Sequence, residues 1–171
     1  MELVLDPPYG VAPVQLGMRL DEALAAVPGW GEPRVLRRPS RNSVRASWTL
    51  DHVGVQALAG GGTHVTAIEH VTAIELWWPG EGRTSGTRVL LEGDEVFTTH
   101  AVDLFRHAMG RGWTVDISQP EYPVIPNVSL GFTRQTSQEA ERDTDGLPKY
   151  VMSVLAAGRD YCNYRYQDGS R

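Results

Sequence analysis

Residues 64–75 spell one hexapeptide twice, His64-Val65-Thr66-Ala67-Ile68-Glu69 and then His70-Val71-Thr72-Ala73-Ile74-Glu75. The unit is rich in β-branched residues and its period is even. In a strand, both copies therefore present the same side chains to the same faces. A slip of one whole copy then exchanges no buried position for an exposed one, and that exchange is what normally pins a register. Fully extended, the surplus copy adds about 20 Å of strand. The duplication is either absorbed as a longer strand or a bulge, or it offers an exposed edge. The second case makes residues 64–78 a candidate homodimer contact.

The neighbouring sequence also reads as strand. Residues 44–50 and 53–58 flank Asp51-His52, a hairpin signal, and Gly60-Gly61-Gly62 marks a further turn before the run that ends at Trp77-Trp78. Upstream, Leu20, Ala23, Leu24 and Val27 fall at i, i+3, i+4 and i+7 and predict a short helix over 20–27. Asp21 and Glu22 suit its first turn and Pro28-Gly29 ends it, although Arg19 stands where a hydroxyl cap is expected. The breaker-rich residues 81–88 read as a linker. The pattern then restarts, with extended pieces at 89–91 and 96–97 and a helix capped by Thr98 or Thr99 that runs to Met109. Strands follow over 113–117, 128–133 and 150–156, with a polar loop at 134–149. The expected fold is α+β: two helix-plus-antiparallel-strand units in tandem, halves 1–80 and 89–171, sharing one core in a single domain 1–171.

A net charge of −5 weighs against nucleic acid and against an anionic membrane as partners. No run approaches the roughly 20 apolar residues that span a bilayer, and the first residues lack the basic stretch of a signal peptide. Cys162 is the single cysteine, so an internal disulfide is excluded. These features together predict a cytoplasmic protein.

The ionisable residues form no recognisable catalytic motif. His100, Asp103 and His107 share the polar face of the second predicted helix, but two histidines seven residues apart stand about 10.5 Å apart along its axis, too far for one metal. Glu141-x-Asp143-x-Asp145-Gly146 echoes the start of a calcium loop, yet Met152 occupies the twelfth position, where a bidentate Glu belongs. An Asp-Gly turn accounts for the segment. Gly60-Gly61-Gly62 lacks the lysine and the following helix of a phosphate loop. Cys162 has no nucleophile signature around it. No catalytic residue, metal ligand or cofactor is assigned.

What remains is surface. Arg34, Arg37, Arg38, Arg41 and Arg45 place five cations in twelve residues with no acid among them. Guanidinium forks suit carboxylate or phosphate groups. Fifteen of the sixteen basic residues are Arg, so part of this density reflects composition, with Lys149 the exception. Trp77 and Trp78 are adjacent, so alternation turns one inward and one outward, where Trp is a frequent interface anchor. Trp77, Trp78, Arg37, Arg38, Arg41 and Arg45 are the candidate partner-binding residues.

Gly17-Met18-Arg19-Leu20-Asp21-Glu22-Ala23-Leu24, with Gly31-Glu32-Pro33 after the helix, resembles the helix-start pattern of the SmpA/OmlA (BamE-like) and beta-lactamase-inhibitor-protein modules. The latter are built from two such modules in tandem. The lead-in from Asp6 to Val14, the stretch Val96-Phe97-Thr98-Thr99 and the closing Lys149-Tyr150-Val151-Met152-Ser153-Val154-Leu155 are similar to small, uncharacterised actinobacterial proteins of immunity or accessory type. The resemblance implies a non-enzymatic protein-binding module whose partner is a toxin or an enzyme. Two alternatives stand beside it. One is a small hydrolase or ligand-binding enzyme in which the fold gathers His52, His100, Asp103, His107 or Cys162. The other is an anion or nucleic-acid binder using residues 34–45.

Overall fold

Asp51 and His52 both take positive φ, 46° and 74°, the two-residue turn whose twist matches a hairpin. It joins two strands that pair without interruption from Ser43↔Gly60 to Leu50↔Val53. This hairpin lies toward one edge of a larger, seven-stranded sheet. The computed structural model describes residues 1–38, 42–60, 69–80, 83–137, 139–158 and Tyr161. Among them, β1 (Glu2–Asp6), β2 (Gly10–Ala12) and β3 (Val14–Gln15) precede helix α1 (Leu20–Ala25). Then come β4 (Arg34–Arg38), β5 (Ser43–Leu50), β6 (Val53–Gly60), β7 (His70–Trp77), β8 (Arg88–Leu91) and β9 (Asp94–Glu95). Helix α2 (Ala101–Gly110) is followed by β10 (Val124–Ile125), β11 (Leu130–Thr133) and β12 (Ser153–Ala157).

The strands make two sheets, one of five in the order β3-β2-β1-β8-β9 and one of seven in the order β10-β11-β12-β7-β6-β5-β4. Every pairing is antiparallel except β1 with β8. This overturns the expected α+β fold of two tandem helix-plus-strand units. The molecule is sheet-dominated, with helices of only six and ten residues. Each sheet also draws on both halves of the chain: β8 and β9 lie beside β1, and β10 to β12 lie beside β7. The physical reason is local. β2 and β3 are too short to show a period, and a parallel pairing between strands distant in sequence leaves no turn signal near either one.

One core cluster takes Leu3 and Leu5 from β1, Leu20 and Ala23 from α1, and Leu104 and Phe105 from α2. These pack against Val55, Ile74, Leu76, Phe132 and Val154 on one face of the large sheet. Phe105 meets Phe132 edge-on, with ring centroids 5.2 Å apart. The helix starts use the means at hand. Arg19 caps α1 without a hydroxyl: its backbone N–H donates to the Glu22 carboxylate at 3.3 Å, and its guanidinium holds Asp21. At α2 the cap residue is His100, not Thr98 or Thr99, and the Ala101 N–H donates to the Lys149 carbonyl at 2.9 Å. The strand expected over 113–117 reduces to a single bridge between Asp116 and Val124. No helix among the described residues is long and apolar enough to cross a membrane.

The second copy of the hexapeptide opens β7. Leu58 pairs with Ala73 and Ala59 with Val71, so Thr72 is an extra residue, a bulge. β6 covers one side of β7, and β12 covers the other from Ala73 to Trp77. Nearer the start, Gly17 donates to the Val71 carbonyl at 2.7 Å, Val71 to Met18 at 2.9 Å and Leu20 to Glu69 at 2.9 Å. Residues 69–77 are thus hydrogen-bonded on both sides and offer no open edge. The first copy, residues 64–68, lies outside the described residues.

Candidate partner and ligand surface on the outer face of the large sheet

Residues directly opposite in paired strands point to the same face. The register therefore shows what lies on the side of the large sheet away from the core. One row runs Arg34, Ser47, Gln56, Glu75, Leu155, Gly131 and Val124 across β4, β5, β6, β7, β12, β11 and β10. A second runs Thr49, Gly54, Trp77, Ser153 and Thr133. A third begins Leu36, Arg45, Leu58 and Ala73. A face that could have been apolar carries polar groups at its middle.

At the edge, β4 is exposed at every position, and it has no partner on its outer side among the described residues. Leu36 lies opposite Arg45 with Arg34 and Arg38 two residues to either side, so three arginines share the face of one exposed leucine. Leu36 is 42% exposed. Alternation sends Val35 and Arg37 to the other face, and Arg37 binds Glu69 there. Of the cations picked out by sequence, Arg38 and Arg45 are brought together, Arg37 is separated from them, and Arg41 lies outside the described residues.

At the centre, Glu75 is half-buried. Burial pushes its carboxyl above the usual carboxylate range, against the opposing pull of a hydrogen bond from Ser153 and the positive charge of Arg45. Gln56 beside it is 5% exposed. Two cavities meet at Glu75, Thr133 and Ser153. One, of about 260 Å³, is lined also by Gln119, Tyr122, Leu155 and Tyr161. The other, of about 430 Å³, is lined also by Trp77, Trp78, Gln135 and Met152. Trp77 faces outward with Glu75, while Trp78, just past the strand end, packs against the core. The Tyr122 hydroxyl donates to Gln135 and ties the rim of the first cavity to the chain after β11.

Sequence reasoning picked out Trp77 and missed Glu75, Gln56, Ser153, Thr133 and Tyr122. The available signal was one polar residue in each of four successive strands, Arg34, Ser47, Gln56 and Glu75, which the register places in one row. Among the described residues the histidines do not gather. His52 sits in the β5–β6 turn, and His100 packs edge-on to Tyr150 at 5.2 Å. His107 Nδ1 lies 3.0 Å from Asp94, which Arg111 also holds, and Asp103 binds Arg106. Cys162 lies outside the described residues. The acids of the calcium-like segment turn to different partners, Glu141 to Lys149 and Asp145 to Arg134. No protein family, curated protein or solved structure matches this chain.

Proposed function

We propose that the chain is a non-enzymatic protein-binding module of immunity or accessory type, docking an acidic surface of a toxin or enzyme on β4 and the adjoining outer face. The observation that carries this reading is Leu36, exposed on an edge strand with Arg34, Arg38 and Arg45 as its neighbours on the same face. An open edge supplies backbone donors and acceptors to an added strand, and the side chains on it supply selectivity. Leu36 supplies an apolar anchor, while the three cations steer an acidic partner and reject a basic one. A phosphate backbone would use the cations but leave the leucine unmatched, and the net charge of −5 opposes nucleic acid at long range. The proposed compartment is the cytoplasm, where a protein with the lone Cys162 needs no disulfide.

The test is differential capture from a lysate of the native host. Wild type should retain a stoichiometric acidic protein, and the double variant Leu36→Asp, Arg38→Glu should lose it by about 100-fold or more. Both positions are exposed, so the variant should melt with the wild type. Equal capture by both chains, or no stoichiometric partner for wild type, would refute the reading.

A further inference from the structure

We propose that Glu75, with the two cavities that meet at it, binds a small organic ammonium ion. This inference does not depend on a protein partner at β4. It stands first on the lining. Among the described residues around both cavities, Glu75 carries the one formal charge, and the rest are hydroxyls, amides, aliphatic groups and rings. The positive charge acting on Glu75 is that of Arg45, which projects from the third row two strands away and forms no ion pair with it. Among the described residues the carboxylate is thus held in a neutral surround, with the Ser153 hydroxyl favouring its charged form. A bound cation restores the compensation that burial removed, and this favours an ammonium over a neutral or anionic ligand.

The walls select the kind of cation. Trp77 and Trp78 on one side and Tyr122 and Tyr161 on the other contribute ring surface, which attracts alkylammonium groups by their charge and by the apolar carbon around it. Gly131 forms part of the floor and leaves a depression between Leu155 and Val124. The cavities, about 260 and 430 Å³, match a small amine with a short chain and not a polymer. Among the described residues a hydrated divalent metal finds one carboxylate here and no second anion, so the class is an organic monocation.

The experiment titrates the full chain with n-butylammonium, tetramethylammonium and n-butanol, read by tryptophan fluorescence and by saturation-transfer NMR on the ligand. Both ammonium ions should bind saturably, with n-butanol weaker by about tenfold or more. Glu75→Gln keeps the shape and removes the charge, and should weaken n-butylammonium by about tenfold while leaving n-butanol unchanged. Trp77→Leu should weaken tetramethylammonium several-fold. The inference falls if n-butanol binds as well as n-butylammonium, if E75Q binds the amine like wild type, or if neither ammonium saturates the signal. None of these readings involves β4, so failure here leaves the protein-binding proposal standing, and the converse holds.

Discussion

Val71 and Ile74 stand three residues apart in β7, and both are buried in the core at 1% exposure. Strict alternation would send them to opposite faces. Thr72, the extra residue opposite the Leu58–Ala59 step, resets the phase, so Val71, Ile74 and Leu76 all face inward. The same reset separates the outward set, Ala73, Glu75 and Trp77, from the core. The position of Glu75 on the open face is therefore coupled to a bulge inside the hexapeptide that contains it.

Because the two copies are identical, deleting residues 64–69 or residues 70–75 gives the same polypeptide. The remaining copy should occupy β7, joined to β6 by Gly61-Gly62-Thr63, a length suited to a hairpin. Shortening the connection stabilises by about 1 kcal/mol. Loss of the exposed Arg37–Glu69 pair costs up to about 1 kcal/mol. Denaturant unfolding should place the single-copy chain within about 1 kcal/mol of wild type. A loss above about 3 kcal/mol would mean that the first copy is structurally required.

Gly54 lies opposite Trp77, and a Cβ built on it would stand 3.0 Å from Trp77 Cε3 and 3.5 Å from its Cβ. Gly54→Ala should therefore push the indole out of place, at a cost of about 1–2 kcal/mol, and alter the tryptophan emission. Gly131→Ala is the control on the same face. Its nearest neighbours, Leu155, Tyr161 and Val124, stand at 4.0 Å, so stability should move by less than about 0.5 kcal/mol. Equal effects at the two glycines would contradict this account of how Trp77 is seated.

Local signals carried the parts of the fold that are local. Asp51-His52 announced the β5–β6 hairpin, and the stripe Leu20, Ala23, Leu24 and Val27 announced α1. Adjacency alone gave the split between Trp77 and Trp78. The pairing of β1 with β8 and the insertion of β12 beside β7 have no local signature, and the tandem-unit reading failed on these. The site follows the same division. The density of arginines was legible, but alternation removes Arg37 from the cluster, and only register brings Arg45 opposite Leu36. Glu75, Ser153 and Thr133 come from three strands widely spaced in sequence and meet only through the ladder.

Arg134 is buried, its side chain 6% exposed, and it donates to Asp145 at 2.8 Å and twice to the Pro148 carbonyl, at 2.9 and 3.1 Å. At Asp145, desolvation raises the pKa, but the Leu147 N–H and the Arg134 guanidinium outweigh it and hold the carboxyl below its usual 3.8. A depressed carboxylate contributes stability that is present above 3.8 and is lost as pH falls through the folded value. Asp145→Asn should cost about 2 kcal/mol at neutral pH, between the cost of an exposed and of a buried pair, because Asp145 itself is 43% exposed. The gap from wild type should close in acid. A constant gap across that range would show that the carboxylate charge is not what holds Arg134.

Glu75 has the opposite sign. Its carboxyl is raised above the usual 4.5, so the native state holds the proton more tightly than the unfolded chain does. The stabilising contribution is complete below 4.5 and disappears as pH rises through the folded value. Glu75→Gln cannot ionise and escapes that loss. Unfolding free energies of variant and wild type should agree below pH 4.5 and diverge toward neutrality, with the variant the more stable. Ser153→Ala removes the hydrogen bond that favours the charged form, so Glu75 should titrate higher still and the neutral-pH penalty should grow. A Glu75→Gln chain less stable than wild type at neutral pH would mean that the carboxylate is already compensated in the native protein, and the case for a cation in its cavity would lose its electrostatic ground.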